Sequence, residues 1–343
     1  MKTMKKIFKH IFSLLGSCIF LLASCQLHEE PEMTATGEWG VDPTEVTVKA
    51  QLSLRLTVSE AASKAFSTRA EGDAAYLHRF IVDAYLSDAT SVRQVVYEEV
   101  VDGRTLLTVP VSLKLHARPY RLAVWADYVQ ADQRADWFYD TTTLTPVIGN
   151  GRYQGNTDWK DAFYAMQEVD LSSYRNDWNV QVPLELTLSR PVARYRLLAT
   201  DLDKLIDKVS AGEVSGNKFT VRVKYSDYLP MGFDVLTGQL RNSLLYMSYS
   251  KEFTLPETPV KDFEIGFDYV LCNETDTAVP VEVEVVDSQN KTVARSIIRL
   301  RCTPGMLTTV RDNFLTADPA LAEDGVGIDP DFDDEIDMEV EVI

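Results

Sequence analysis

The chain has 343 residues, 45% hydrophobic and 25% charged, which fits a globular protein of about two domains. Its 34 Lys and Arg against 52 Asp and Glu give a net charge of −18, a surface that repels a phosphate backbone and argues against a nucleic-acid partner. The four histidines (His10, His28, His78, His116) and four cysteines (Cys18, Cys25, Cys272, Cys302) are scattered, and no P-loop, GxGxxG, HExxH or GxSxG string occurs, so the expectation is no enzyme, no catalytic residue, no metal and no cofactor.

Lys2, Lys5, Lys6 and Lys9 form a basic start, and residues 11–23 form an apolar run too short to span a bilayer. The run ends in Leu22-Ala23-Ser24-Cys25, a small-residue site closing on Cys. It reads as a secretory signal, residues 1–24, and resembles a bacterial lipoprotein precursor cut just before an acylated Cys25. A second such string ends at Cys18, but cutting there would leave the apolar residues 19–23 on the mature end. Cleavage before Cys25 removes four Lys and leaves 30 basic against 52 acidic residues, a net charge of −22. Residues 25–43 carry Pro, Gly and acids without a period and read as a tether. Glu29 and Glu30, soon after Cys25, are similar to the surface-export signal of Bacteroidetes lipoproteins. The expected location is the outer membrane, facing outward, through a lipid anchor.

From Val46 onward the chain alternates with period two. Val46, Val48, Ala50, Leu52, Leu54, Leu56 and Val58 fall on every second residue, with polar residues between them, which predicts a strand buried on one face. Further strands are predicted over 80–86, 94–101, 107–115, 120–128 and 180–188. Between about 130 and 180 alternation weakens, and Trp137, Phe138, Tyr139, Tyr153, Trp159, Phe163, Tyr164, Tyr174 and Trp178 crowd what reads as long loops. In the second half, strands are expected over 219–225, 263–272, 281–286 and 293–300, the last two joined at Asp287-Ser288-Gln289-Asn290. Leu202, Leu205, Ile206 and Val209 fit one helix after Thr200 or Asp201 as N-cap. Many short strands with a single helix predict an all-β chain of β-sandwiches, one over residues 44–189 and one over 190–343. No Gly/Ser linker separates the two, so they are expected to pack against each other.

Particular strings carry a likeness. These are Phe66-Ser67-Thr68-Arg69-Ala70 after the first strand, Ala123-Val124-Trp125-Ala126-Asp127-Tyr128, Arg190-Pro191-Val192-Ala193-Arg194 with Ala199-Thr200-Asp201-Leu202, Phe314-Leu315-Thr316, and Ile328-Asp329-Pro330-Asp331-Phe332. With the lipobox, they resemble the fimbrillin-like family of the Bacteroidales, the type V pilins. Arg311-Asp312-Asn313 departs from that family's polar-Gly-Asn approach to the final Leu-Thr. The resemblance implies two transthyretin-like β-sandwich domains, with a short helix in the second, and a fimbrial or adhesin-type subunit. It implies an Arg-specific cut between Arg69 and Ala70, loss of the first strand, and filling of the groove by another subunit's C-terminal strand. Partners would be other fimbrial subunits or further copies of the chain, and receptors on host or microbial surfaces.

At the C-terminus, Ile336, Met338, Val340 and Val342 alternate with acids. This suits a donor strand, which would add to an open sheet edge, and equally a last strand of its own domain. Eleven acids and no Lys or Arg occupy residues 318–341. Asp329, Asp331 and Asp333 imitate the start of a calcium loop, but Asp334 stands at its sixth position and Val340 at its twelfth, so a solvated acidic connector is expected. Export permits a disulfide between Cys272 and Cys302, but spacing alone does not show that they meet. A second functional reading is a non-polymerising surface lipoprotein that binds glycans through the aromatic residues at 137–178.

Overall fold

The computed structural model describes residues 44–56, 76–86, 89–101, 104–151, 153–273, 277–320 and 338–339. Strand β1 (Glu45–Arg55) lies between β4 (Leu106–His116), to which it is antiparallel, and β9 (Gln181–Leu188), to which it is parallel. Facing this sheet, β2 (Tyr76–Leu86), β3 (Ala89–Glu99), β5 (Pro119–Gln130) and β8 (Phe163–Asp170) pair in the order β3-β2-β5-β8. Between the two sheets lies a core to which β1 contributes Val46, Val48, Ala50, Leu52 and Leu54. All five are at most 1% exposed, so the alternation in the sequence is a true inside–outside pattern.

The second half repeats this plan. Strand β10 (Val192–Ala199) is antiparallel to β15 (Phe263–Leu271) and parallel to β18 (Leu307–Asp312). Its partner sheet holds β11 (Lys218–Tyr225), β14 (Ser248–Thr254), β16 (Thr277–Asp287) and β17 (Thr292–Cys302) in the order β14-β11-β16-β17. Strand for strand, β10, β11, β14, β15, β16, β17 and β18 match β1, β2, β3, β4, β5, β8 and β9, with every pairing in the same sense. Helix α1 (Leu202–Ser210) follows β10, and β19 (Met338–Glu339) adds to the outer edge of β18.

A fifth sheet stitches the halves together. It contains β6 (Tyr139–Asp140) and β7 (Val147–Gly149) from the first half, and β12 (Leu229–Asp234) and β13 (Gln239–Leu244) from the second, ordered β13-β12-β7-β6. Beneath it, Ile81, Tyr85 and Trp125 share a core with Phe233, Val235 and Leu236. The β3-β2-β5-β8 sheet is therefore covered on both faces, and β5 is buried almost continuously.

Several sequence expectations are corrected. The stretch 130–180 is not only loop, because β8 is an eight-residue edge strand there. Phe163 and Ala165 face one core and Tyr164 another, so its faces are too alike to alternate. The hairpin β12–β13 was not legible because β13 is exposed almost throughout. Its turn is fixed by Gly238, at φ +65°, whose N–H donates to Asp234 O at 2.8 Å. Strand β3 starts at Ala89 rather than at 94. Asp201 does occupy the N-cap position of α1, but its side chain makes no cap bond.

Candidate functional site

The first strand is held as a middle strand, not as an edge. Thr47 donates its N–H to Val180 O on the β9 side at 3.0 Å, and Leu56 donates to Thr105 O on the β4 side at 2.8 Å. Leu52 sits opposite Val109 on one side and Leu186 on the other. Phe80 and Val82 of β2, with Leu122 and Val124 of β5, belong to the core beneath. Outside, Lys49 Nζ donates to Ser112 Oγ at 3.2 Å. Strands β1 and β2 belong to opposite sheets. Arg69 and Ala70, between them in sequence, lie outside the described residues, as does Cys25.

At the other end, Met338 and Glu339 pair antiparallel with Thr308 and Leu307 of the chain's own β18. Ile336, Val340 and Val342 lie outside the described residues. The approach to this edge is anchored by Asp201, which is fully buried. Its carboxylate accepts from Leu315 N at 3.1 Å, Thr316 N at 2.7 Å and Thr316 Oγ1 at 2.6 Å. The Phe314-Leu315-Thr316 string is thus tied to the start of α1.

The aromatic stretch builds the junction between the halves. Trp159 stacks on Tyr76 at 4.3 Å, Tyr164 meets Phe233 edge-on at 4.6 Å, and Trp137 packs against the junction core. Of the three tryptophans, Trp178 alone is strongly exposed, at 60%. Lys160 Nζ reaches Asp268 Oδ1 of β15 at 2.5 Å and lies 4.0 Å over the Tyr153 ring. Asp268 Oδ2 also accepts from Tyr153 at 2.5 Å and Tyr225 at 2.7 Å, and Tyr195 links Tyr225 to Tyr249. Burial pushes these four phenols well above their ordinary range and pulls the Lys160 ammonium down. Arg190 grips Asp161 with two nitrogens, and Arg194 reaches Asp158 at 3.3 Å. Asn156 closes the outer edge of β15, giving its N–H to Phe267 O and accepting from Phe267 N. A cavity of about 30 Å³ remains, lined by Tyr139, Tyr153, Lys160, Met231 and Tyr269 among others, with room for a water or two and not for a sugar ring.

Sequence reasoning expected the halves to pack against each other but missed the residues that join them. Their signal is the isolated charge inside an apolar strand: Asp268 in β15, and Arg79 and Asp127 in β2 and β5, which pair at 2.6 Å. Cys272 and Cys302 are free thiols in one core, not the disulfide that export would allow. Burial pushes both thiols up, Cys302 to about 12. Among the described residues, no three His, Cys, Asp or Glu side chains group as metal ligands. Asp329, Asp331 and Asp333 lie outside the described residues.

The profile of a family of unknown function, DUF6562, matches residues 43–343. The chain belongs to this family. No curated protein matches it. Among solved structures, it is similar to a candidate cell adhesion protein of Bacteroides eggerthii, at 10% identity and TM-score 0.40, over 82% of this chain and 93% of that one. It is also similar to a fimbrial anchor protein from Porphyromonas gingivalis, at 13% identity and TM-score 0.39, over 77% and 90%. A third is a fimbrial assembly protein from Parabacteroides distasonis, at 10% identity and TM-score 0.34, over 78% and 91%.

Proposed function

We propose that this DUF6562 protein is a fimbrial or adhesin-type structural subunit of the cell surface. It is exported as a lipoprotein through Cys25 and built from two β-sandwich units divided near Arg190. Assembly proceeds by strand complementation: a cut between Arg69 and Ala70 frees β1, and the C-terminal strand of another subunit takes its seat.

The observation that carries this reading is the position of β1. It is the middle strand of a three-strand sheet, and the chain leaves it for the opposite sheet, so one cut converts it into a separable fragment. Val46, Val48, Leu52 and Leu54 are fully buried, and at about 1.5–3 kcal/mol each they contribute roughly 6–12 kcal/mol. That approaches the whole stability of a domain, about 5–15 kcal/mol, so a subunit without β1 depends on a replacement. The alternation of Ile336, Met338, Val340 and Val342 supplies one of matching pattern. The pairing of Met338–Glu339 with β18 gives that segment a seat in its own chain, from which donation must release it.

The test is the N-terminus of the mature protein on its own cells, by intact mass and terminal peptide mapping. A start at Ala70, abolished by Arg69→Ala together with assembly, supports the reading. An acylated Cys25 with β1 retained on every molecule refutes processing and leaves an anchor or a lone lipoprotein. Glycan binding, the second reading, rests on Trp178 as the exposed member of its three tryptophans.

A further inference from the structure

The sheet that holds β1 has two outer edges, and each carries a proline inside its strand, Pro110 in β4 and Pro183 near the start of β9. The pairing parity shows where these prolines point. Thr47 bonds toward β9, while Thr44 and Leu56 bond toward β4. Even-numbered residues of β1 therefore turn their backbone groups to β4, and odd-numbered ones to β9. Across the β1–β4 ladder, Leu56 bonds Thr105 and Thr44 bonds Ala117, so odd residues of β4 face β1 and even ones face outward. Pro110 is even. Across the β1–β9 ladder, Val180 faces β1, so the odd residues of β9 face outward. Pro183 is odd. Both side chains are exposed. Within both edges, a residue whose N–H would greet an incoming strand has none.

The repeat in the fold supplies the comparison. In the second half, Arg194 donates to Met306 O at 3.0 Å and Thr200 to Asp312 O at 2.9 Å, so Leu307, Thr309 and Arg311 of β18 face outward. Lys49 is opposite Pro183 in one half, and Arg196 is opposite Thr309 in the other, which makes Thr309 the counterpart of Pro183. The β18 edge carries no proline, and there a strand, β19, has added. On the matching β9 edge, no strand pairs along Gln181–Leu188 among the described residues, and only Ser189, just past its end, is bridged to Tyr164 of β8.

We propose that Pro110 and Pro183 close both edges of the β4-β1-β9 sheet to a second copy of this chain, so that a partner strand enters this sheet only by taking the place of β1. The closure holds with β1 in place and stands apart from the proposed cut at Arg69, so its failure leaves strand exchange untouched.

The test uses the full chain with β1 retained. Pro110→Thr, Pro183→Thr and the double variant are compared with wild type by sedimentation velocity over a concentration series, with hydrogen exchange at the outward amides Thr108, Ser112, Gln181 and Glu185. Pro183→Ala, which restores an N–H without a branched side chain, keeps the test open if a threonine variant folds poorly. The expected result is unprotected edge amides in wild type, and in the variants a shift from monomer toward dimer with those amides protected as concentration rises. Variants that stay monomeric with unprotected amides overturn the proposal. So does a wild-type protein that already associates through these amides.

Discussion

Leu52→Ala tests the seat of β1 directly. Leu52 is fully buried at the centre of its sheet, flanked by Val109 and Leu186, with the β2–β5 core beneath. Its environment is fixed by backbone ladders on both sides, so little can collapse into the space left. Truncation of such a leucine costs about 2–5 kcal/mol, from lost transfer energy plus the cavity. A cost of about 3 kcal/mol lowers the melting temperature by roughly 6–12 °C for a cooperative unit of 150–250 residues. Gln51→Ala, one residue away on the exposed face, should stay within about 0.5 kcal/mol of wild type. Calorimetry and urea unfolding of the two variants measure the difference, and hydrogen exchange in β4 and β9 locates it. If Leu52→Ala and Gln51→Ala melt together, β1 is not the middle strand of this sheet, and the strand-exchange reading loses its basis.

Three further outcomes are expected. Asp268→Asn should cost about 3–5 kcal/mol, because it leaves the Lys160 ammonium buried without its anion, and a second change, Lys160→Met, should recover part of the loss; thermal melts of the single and double variants read this. Asp201→Ala should cost about 2–3 kcal/mol and speed amide exchange at Leu315 and Thr316, the two N–H groups its carboxylate holds. His78 is buried against Tyr128, and burial, with Arg104 adding to it, lowers its pKa from 6.5 to about 4. The unfolded chain binds that proton more readily, so this contribution is complete above pH 6.5 and is lost as pH falls toward 4. The drop corresponds to about 3 kcal/mol, and His78→Gln should flatten the stability profile in that window in urea titrations.

The strands with one buried face were legible because a two-residue period is a local property of the chain. β1, β4, β16 and β17 announce themselves this way, while the helix at Leu202 shows in its three- and four-residue spacing and the turn at Asp287 in its run of polar residues. β8 and β13 were not legible, since one packs on both faces and the other on almost none. The alternating C-terminus was equally plain, but alternation does not say which sheet edge a strand joins. The sequence by itself determined an all-β chain and a first strand with one apolar face. Only the tertiary structure decided that β1 is a middle strand, that Lys160 meets Asp268 across 108 positions of sequence, and that Pro110 and Pro183 face outward. Partner and parity arise from long-range pairing. Hydrogen-bond direction alternates with each residue, so a shift of one position in either ladder would turn that ladder's proline inward.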